Sequence, residues 1–283
     1  MSYSGIGVLL ALLSSITTAT AHALLKAGKD KLAVRALIGA VGTLALLPLC
    51  FFVPLPTLTM LPWLAIACML HTSYQLVLIH AYEANDFAVA YPIARGVAPI
   101  ATAIMGVALL GDRLTAAGLL GIALVSGGIL LIALGRSIAV AGLIAAGIAG
   151  LLTTAYTVVD AHAIRLAPVA MTFVAWFFLL DGIIMFPIFA FARRGRIISL
   201  LLSEGRQGLM AGFASLISFG SALFALLLSP VGIVAALRET SVVFGMLIAA
   251  FVLREHVGRR RAAGATVIAA GAILILAAAA YSK

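Results

Sequence analysis

Residues 95–128, RGVAPIATAIMGVALLGDRLTAAGLLGIALVSGG, decide the fold, because residues 238–271, RETSVVFGMLIAAFVLREHVGRRRAAGATVIAAG, repeat their layout without a gap. A constant offset of 143 positions carries Arg95 onto Arg238, Asp112 onto Glu255, Gly121 onto Gly264 and Gly128 onto Gly271. Each copy is a pair of long apolar segments joined by a short charged break, Gly111-Asp112-Arg113 in the first and Arg254-Glu255-His256 in the second. A duplicated hydrophobic unit points to a membrane protein assembled from two structural repeats, an architecture that transporters use.

Composition sets the solvent. The 283 residues are 64% hydrophobic and 10% charged, with a mean hydropathy of +1.24. Soluble domains carry about 25% charged residues, so this chain cannot clothe a water-facing surface. Its apolar runs of about 20 residues match the thickness of a bilayer crossed by helices, and the short alternating segments of a barrel are missing. The expected fold class is an all-α polytopic membrane protein with the lipid bilayer as its partner. The formal charge of +9 comes from basic residues clustered between apolar runs, so they read as topology signals and no nucleic-acid partner is expected. Cys50 and Cys68 fall inside apolar runs and act as small hydrophobes. No disulfide framework, metal spacing or cofactor motif stands out. No Lys or Arg precedes Lys26, so residues 6–25 read as a retained first helix and not as a signal peptide.

Charges, Pro and Gly divide the chain into ten spans, roughly 4–26, 33–53, 60–82, 87–110, 114–134, 138–161, 168–192, 207–228, 231–253 and 261–281. The seam is the Gly135-Arg136-Ser137 turn, giving repeats over 1–136 and 137–283. Five spans per half is an odd number, so the second half inserts upside down and the repeats are inverted. Lys and Arg, Arg35 counted among them, gather in the loops after odd-numbered spans. The positive-inside rule then puts those loops in the cytoplasm and both termini outside. The paired small residues Gly121, Gly128, Gly264 and Gly271 allow close helix packing within one chain, and a monomer is expected.

Polar residues inside the spans are the candidate site. Arg95 and Arg238 each lie about 8 residues into a helix, roughly 12 Å deep at 1.5 Å per residue. A guanidinium there needs water, a partner or a ligand. It serves either as a carboxylate anchor or gate, or as one half of a structural pair with Glu239, Glu83 or Asp86. Pro92 and Pro99 bracket Arg95 and remove two backbone donors, so span 4 is expected to break or kink. His71, Tyr74, Gln75 and Tyr82 share one face of span 3 and should turn inwards. Tyr91, Tyr156 and Trp176 add rings from neighbouring spans. Ser14, Thr18 and His22 form a stripe on span 1, and Asp160 and Asp181 are embedded acids expected to be protonated or paired. The substrate-binding set is therefore His71, Tyr74, Tyr82, Tyr91, Arg95, Tyr156, Trp176 and Arg238.

The ten-span pattern resembles the drug/metabolite transporter superfamily, in its ten-helix members with two EamA-type domains. The carrying motifs are Arg95 and Arg238 near the start of spans 4 and 9, then the acidic breaks at Asp112 and Glu255. Within that superfamily the chain is similar to the YddG-type exporters of aromatic and other neutral amino acids. The resemblance implies a central cavity walled by spans 3, 4, 8 and 9, with spans 5 and 10 set apart. It also implies alternating-access export of small zwitterionic metabolites across the cell (inner) membrane, without enzymatic activity. A broader drug or nucleotide-sugar carrier is the alternative. Four-helix relatives exchange protons for cationic drugs through a glutamate in helix 1, and span 1 here carries no acid. A membrane-embedded enzyme would need clustered His, Asp and Glu near one interface, and the candidates here are scattered over different spans.

Overall fold

The computed structural model describes residues 4–83, 87–133, 140–247 and 258–281, and among these all regular structure is helical. In chain order the helices are α1 (Gly5–Ala27), α2 (Lys31–Leu46), α3 (Leu61–Glu83), α4 (Phe87–Leu110), α5 (Ala116–Ala133) and α6 (Val140–Leu166). They continue with α7 (Ala170–Ala192), α8 (Ile197–Ser203), α9 (Gly205–Leu228), α10 (Val231–Arg238), α11 (Ser241–Leu247) and α12 (Arg259–Tyr281). The Gly135-Arg136-Ser137 seam and Glu255 lie outside the described residues. Five stretches, Gly5–Leu25, Lys31–Phe51, Ala170–Ala192, Gly205–Leu228 and Arg259–Ala280, are long and apolar enough to cross a membrane. Their outer faces carry exposed Leu9, Leu44, Phe51, Phe191, Phe213 and Ile273. Such a continuous apolar exterior suits hydrocarbon as its solvent.

Local chemistry sets the helix ends. Asp30 caps α2, its carboxylate accepting the Ala33 N–H at 3.0 Å. Helix α4 stops at Gly111, whose φ of 64° lies in the left-handed region that glycine enters without steric cost. The Asp112 N–H then reaches back to the Gly106 carbonyl at 3.1 Å.

Two expectations are corrected. Helix α4 continues through Pro92 and Pro99, so the break expected there does not occur; a long membrane helix tolerates the lost donors. The break falls instead in the second copy, at Glu239-Thr240 between α10 and α11, where no proline stands. There the Thr240 hydroxyl donates to the Leu237 carbonyl at 2.6 Å, and the Glu239 N–H is shared between the Ala235 and Ala236 carbonyls at 3.3 and 3.1 Å. A polar side chain that competes for backbone acceptors tightens the turn and ends the α ladder. The second correction is Arg35. It is no loop charge but an interior residue of α2, only 4% exposed.

Among the helix pairs that join the two halves, three are antiparallel pairs held by close glycine contacts. In the first, α5 and α12 meet glycine to glycine. A Cβ at Gly128 would stand 2.7 Å from the Gly264 carbonyl oxygen, and one at Gly264 2.6 Å from that of Gly128. Gly121 and Gly271 repeat this, at 3.0 and 2.7 Å. Only small residues permit so close a backbone approach. In the second pair, Gly39 of α2 meets Gly182 of α7, and the Thr43 hydroxyl donates to the Phe178 carbonyl at 3.0 Å. In the third, Ala103 of α4 faces Gly232 of α10, and Gly106 faces Val231.

Candidate functional site

A cavity of about 90 Å³ lies between the halves. Its polar wall is built from Thr18 and His22 of α1, Arg35 of α2, His71, Tyr74 and Gln75 of α3, Arg95 of α4, Tyr156 of α6, Asp181 of α7, Ser215 and Ser218 of α9, and Arg238 of α10. Phe177, Phe178 and Phe219, with Ala21 and Ile38, complete it, and among the described residues of α5 and α12 none lines it. The walls therefore include spans 3, 4, 8 and 9, as the resemblance implies. Spans 1, 2, 6 and 7 contribute as well, a wider ring than expected.

Of the predicted site residues, the structure gathers His71, Tyr74, Arg95, Tyr156 and Arg238 around this one cavity. Trp176 does not line it; it packs against the neighbouring apolar core, with its indole N–H lacking a hydrogen-bond partner among the described residues. Helix position alone did not reveal which side of α7 faces inwards. The side chains of Tyr82 and Tyr91 lie outside the described ones.

Two ion pairs and one imidazole–carboxylate contact cross the cavity wall. Arg35 Nη2 stands 2.6 Å from Asp181 Oδ1, with side chains 5% and 7% exposed. Arg95 Nε lies 3.0 Å from Glu239 Oε2, which realises the structural-pair alternative for Arg95. His71 Nε2 meets Asp160 Oδ2 at 2.8 Å. Buried charges persist when they are paired and hydrogen-bonded, because an isolated ion in a low-dielectric interior is costly. Arg238 differs: its Nε donates to the Ser14 hydroxyl at 3.2 Å, and among the described residues no carboxylate makes a direct ion pair with it, although the charge of Glu239, already paired with Arg95, also acts on it. The stripe on α1 is joined to α9, with Thr18 and Ser218 hydroxyls 2.5 Å apart and the Ser218 hydroxyl donating to the Ser14 carbonyl at 3.0 Å.

Beside Arg238 is an aromatic enclosure. The His71 ring lies 4.2 Å from Tyr156, 4.9 Å from Phe177 and 4.8 Å from Phe219, centroid to centroid. Tyr74 meets Tyr156 edge-on at 5.3 Å. These separations suit quadrupole-driven ring packing. Phe177 and Phe219 escaped the sequence reading, although Phe177 stands one helical turn before Asp181 and Phe219 adjoins Ser218. In a chain this rich in apolar residues, an inward Phe looks no different from a lipid-facing one.

Charged clusters hold the two ends of the bundle. At one end Asp112 pairs with Arg165 at 3.0 Å and accepts the Val231 N–H at 2.6 Å, so it caps α10 from the opposite half. Arg165 also donates to the Leu226 carbonyl at 3.2 Å. At the other end Arg193 Nε donates to Asp30 at 2.7 Å, and Glu204 accepts the Asp30 N–H at 3.1 Å. Partial burial raises the Asp30 carboxyl, but the Arg193 hydrogen bond and charge, with the Ala33 and Leu32 amides, outweigh it and hold it below its usual range. No group of three or more metal-ligating side chains occurs among the described residues.

Fold and site together define a multi-pass helical membrane protein with a charged cavity between two halves. The sequence profile of the EamA-like transporter family matches residues 5–134 and again residues 140–277, so the chain belongs to the EamA-like transporter family as a duplicated member. That family consists of transporters and not of enzymes. A solved structure described as "Crystal structure of protein" shares the fold, with a TM-score of 0.67 at 17% identity over 95% of this chain and 94% of that one. No curated protein matches the sequence.

Proposed function

We propose that this protein is a secondary transporter that exports small zwitterionic metabolites, chiefly neutral and aromatic amino acids, across the cell membrane by alternating access. The observation that carries the reading is Arg238, a cavity-lining guanidinium in no direct ion pair among the described residues, beside the enclosure of His71, Tyr156, Phe177 and Phe219. A guanidinium takes a carboxylate through charge-assisted bonds, and the rings take an apolar side chain or an ammonium.

Ten spans in two inverted five-helix repeats form the frame of this reading. The pairs α2 with α7, α4 with α10 and α5 with α12 each join a span to its own counterpart, and a two-fold axis in the membrane plane requires every such self-pair to run antiparallel. The reciprocal meeting of Gly121 with Gly271 and Gly128 with Gly264 fits that axis. At about 90 Å³ the cavity is small beside typical ligand pockets of roughly 300–1,000 Å³. An aromatic substrate therefore requires the halves to move apart, as alternating access demands.

Counterflow in proteoliposomes with a panel of amino acids and a nucleotide sugar tests the reading. Flux of neutral amino acids is expected, and Arg238→Gln should weaken substrate affinity about 30-fold or more, as loss of a buried charge partner costs roughly 2–5 kcal/mol. Flux of the nucleotide sugar without any amino-acid flux would overturn it.

A further inference from the structure

We propose that the corner between α7 and α8 is a docking surface for the anionic headgroup of a membrane phospholipid, with α8 lying in the plane of the interface and its outer face among the acyl chains. This surface lies at one end of the bundle, outside the cavity, and does not depend on what the cavity carries. Helix α7 ends at Ala192, and Gly195, with φ 77° in the left-handed region, turns the chain into α8. The seven residues of α8 extend about 10 Å at 1.5 Å per residue, too short to cross a bilayer. Helix α9 follows directly at Gly205, so α8 stays at the membrane end.

Helix α8 is apolar on two sides. On its inner side Leu200 is buried, and Ile197 and Leu201 pack with it against a core that includes Leu32, Ala36 and Phe189. On its outer side Ile198 and Leu202, one turn apart, are 75% and 78% exposed. A helix with an apolar outer face is unfavourable in water and suits the boundary between headgroups and acyl chains.

Cations surround this helix. Lys29, Lys31, Arg193, Arg194, Arg196 and Arg206 share the corner with only two carboxylates, Asp30 and Glu204. The segments meet through named contacts: Arg193 Nε donates to Asp30 at 2.7 Å, Glu204 accepts the Asp30 N–H at 3.1 Å, and the Arg196 N–H donates to the Arg193 carbonyl at 3.1 Å. Both acids are occupied by these internal partners. Asp30 also caps α2, and Glu204 is only 2% exposed. Lys29, Arg194, Arg196 and Arg206 are exposed, and among the described residues no carboxylate forms an ion pair with them. Arg194 lies over the Phe191 ring at 4.0 Å, an apolar support that leaves its charged head at the rim of the hydrocarbon.

Unanswered cations beside an apolar helix complement an anionic headgroup above its own chains. The positive-inside rule puts this corner at the cytoplasmic leaflet, whose anionic lipids favour such clusters by about fivefold in affinity per Lys or Arg. A soluble phosphate has no chains to cover Ile198 and Leu202, so the occupant is a lipid. Lys29 belongs to the first half and the arginines to the second, so one headgroup here lies against both.

The test is native mass spectrometry of the full chain in detergent, titrated with phosphatidylglycerol or with phosphatidylcholine of the same acyl chains. The wild type should bind the first phosphatidylglycerol about 25-fold more tightly, or better. Arg196→Gln with Arg206→Gln should weaken phosphatidylglycerol binding about 25-fold and leave phosphatidylcholine unchanged. Ile198→Ser with Leu202→Ser should weaken both lipids alike. Arg259→Gln with Arg261→Gln removes the same charge from the exposed start of α12 and should keep the preference. Inorganic phosphate at the lipid's concentration should displace nothing. Equal binding of the two lipids by the wild type, an equal loss in the α12 variant, unaltered binding in the α8 serine variant, or displacement by phosphate overturns the proposal, and none of these outcomes bears on the zwitterion reading. Where a variant does not fold, the wild-type comparison of the two lipids and the phosphate competition decide.

Discussion

Replacing Asp181 with Asn should destabilise the protein far more than replacing the whole Arg35–Asp181 pair with apolar residues. The pair is 2.6 Å apart with both side chains nearly inaccessible, and Arg35 Nε and Nη1 have no hydrogen-bond partner among the described residues. Asp181 is thus the sole anion holding that guanidinium among the described residues. Removing one partner of a buried pair strands the other charge and costs about 3–5 kcal/mol, whereas apolar replacement of both is often neutral or favourable. A change of 1 kcal/mol moves the melting temperature of a 150–250-residue domain by about 2–4 °C, so Asp181→Asn should lower it by on the order of 10 °C. The double variant Arg35→Met, Asp181→Leu should recover most of that loss. The assay is thermal unfolding in detergent, followed by tryptophan fluorescence, for both single variants and the double. A single-variant loss below about 1 kcal/mol, or a double variant as unstable as the singles, would refute the burial argument.

Other consequences are equally specific. Gly128→Ala sets a methyl 2.7 Å from the Gly264 carbonyl oxygen, whereas a Cβ at Gly127 meets nothing within 4 Å; the first should cost about 1–3 kcal/mol by overpacking and the second should be neutral in the same melt. Asp112→Asn removes the charge that caps α10 and holds Arg165, so a cysteine placed at Ala103, under Gly232, should label faster with a thiol reagent than in the unaltered background. The Asp30 carboxyl is held below its usual value chiefly by Arg193 against the opposing effect of burial. A depressed folded-state pKa stabilises fully above the unfolded value of about 3.9 and is lost as pH falls through the lower folded value. The difference in melting temperature between wild type and Arg193→Gln should therefore be largest at neutral pH and shrink below about pH 4.

Much of the site was legible because charge in hydrocarbon is expensive. Arg95, Arg238, His71 and Asp181 stood out in apolar runs where any ionisable group needs a reason. Arg35 did not stand out, since it lies four residues from Lys31 at a helix start and reads as a loop charge until α2 is seen buried against α7. Trp176 was misplaced because position along a helix does not say which face turns inwards, and apolar runs without polar contrast carry no moment to tell. The proline pair in α4 misled for a related reason: membrane helices tolerate proline, while a threonine hydroxyl that bonds backward opened the other copy.

By itself the sequence determined the solvent, the helical class, the duplication and the set of costly polar residues, because bilayer thickness and burial of charge act on local composition. Only the tertiary structure decided the pairing: which acid answers which arginine, which helix pairs close glycine to glycine, and that Arg238 bonds Ser14 on the cavity wall. Those choices depend on contacts between residues more than one hundred positions apart, and no local pattern encodes the distance between two side chains on different helices.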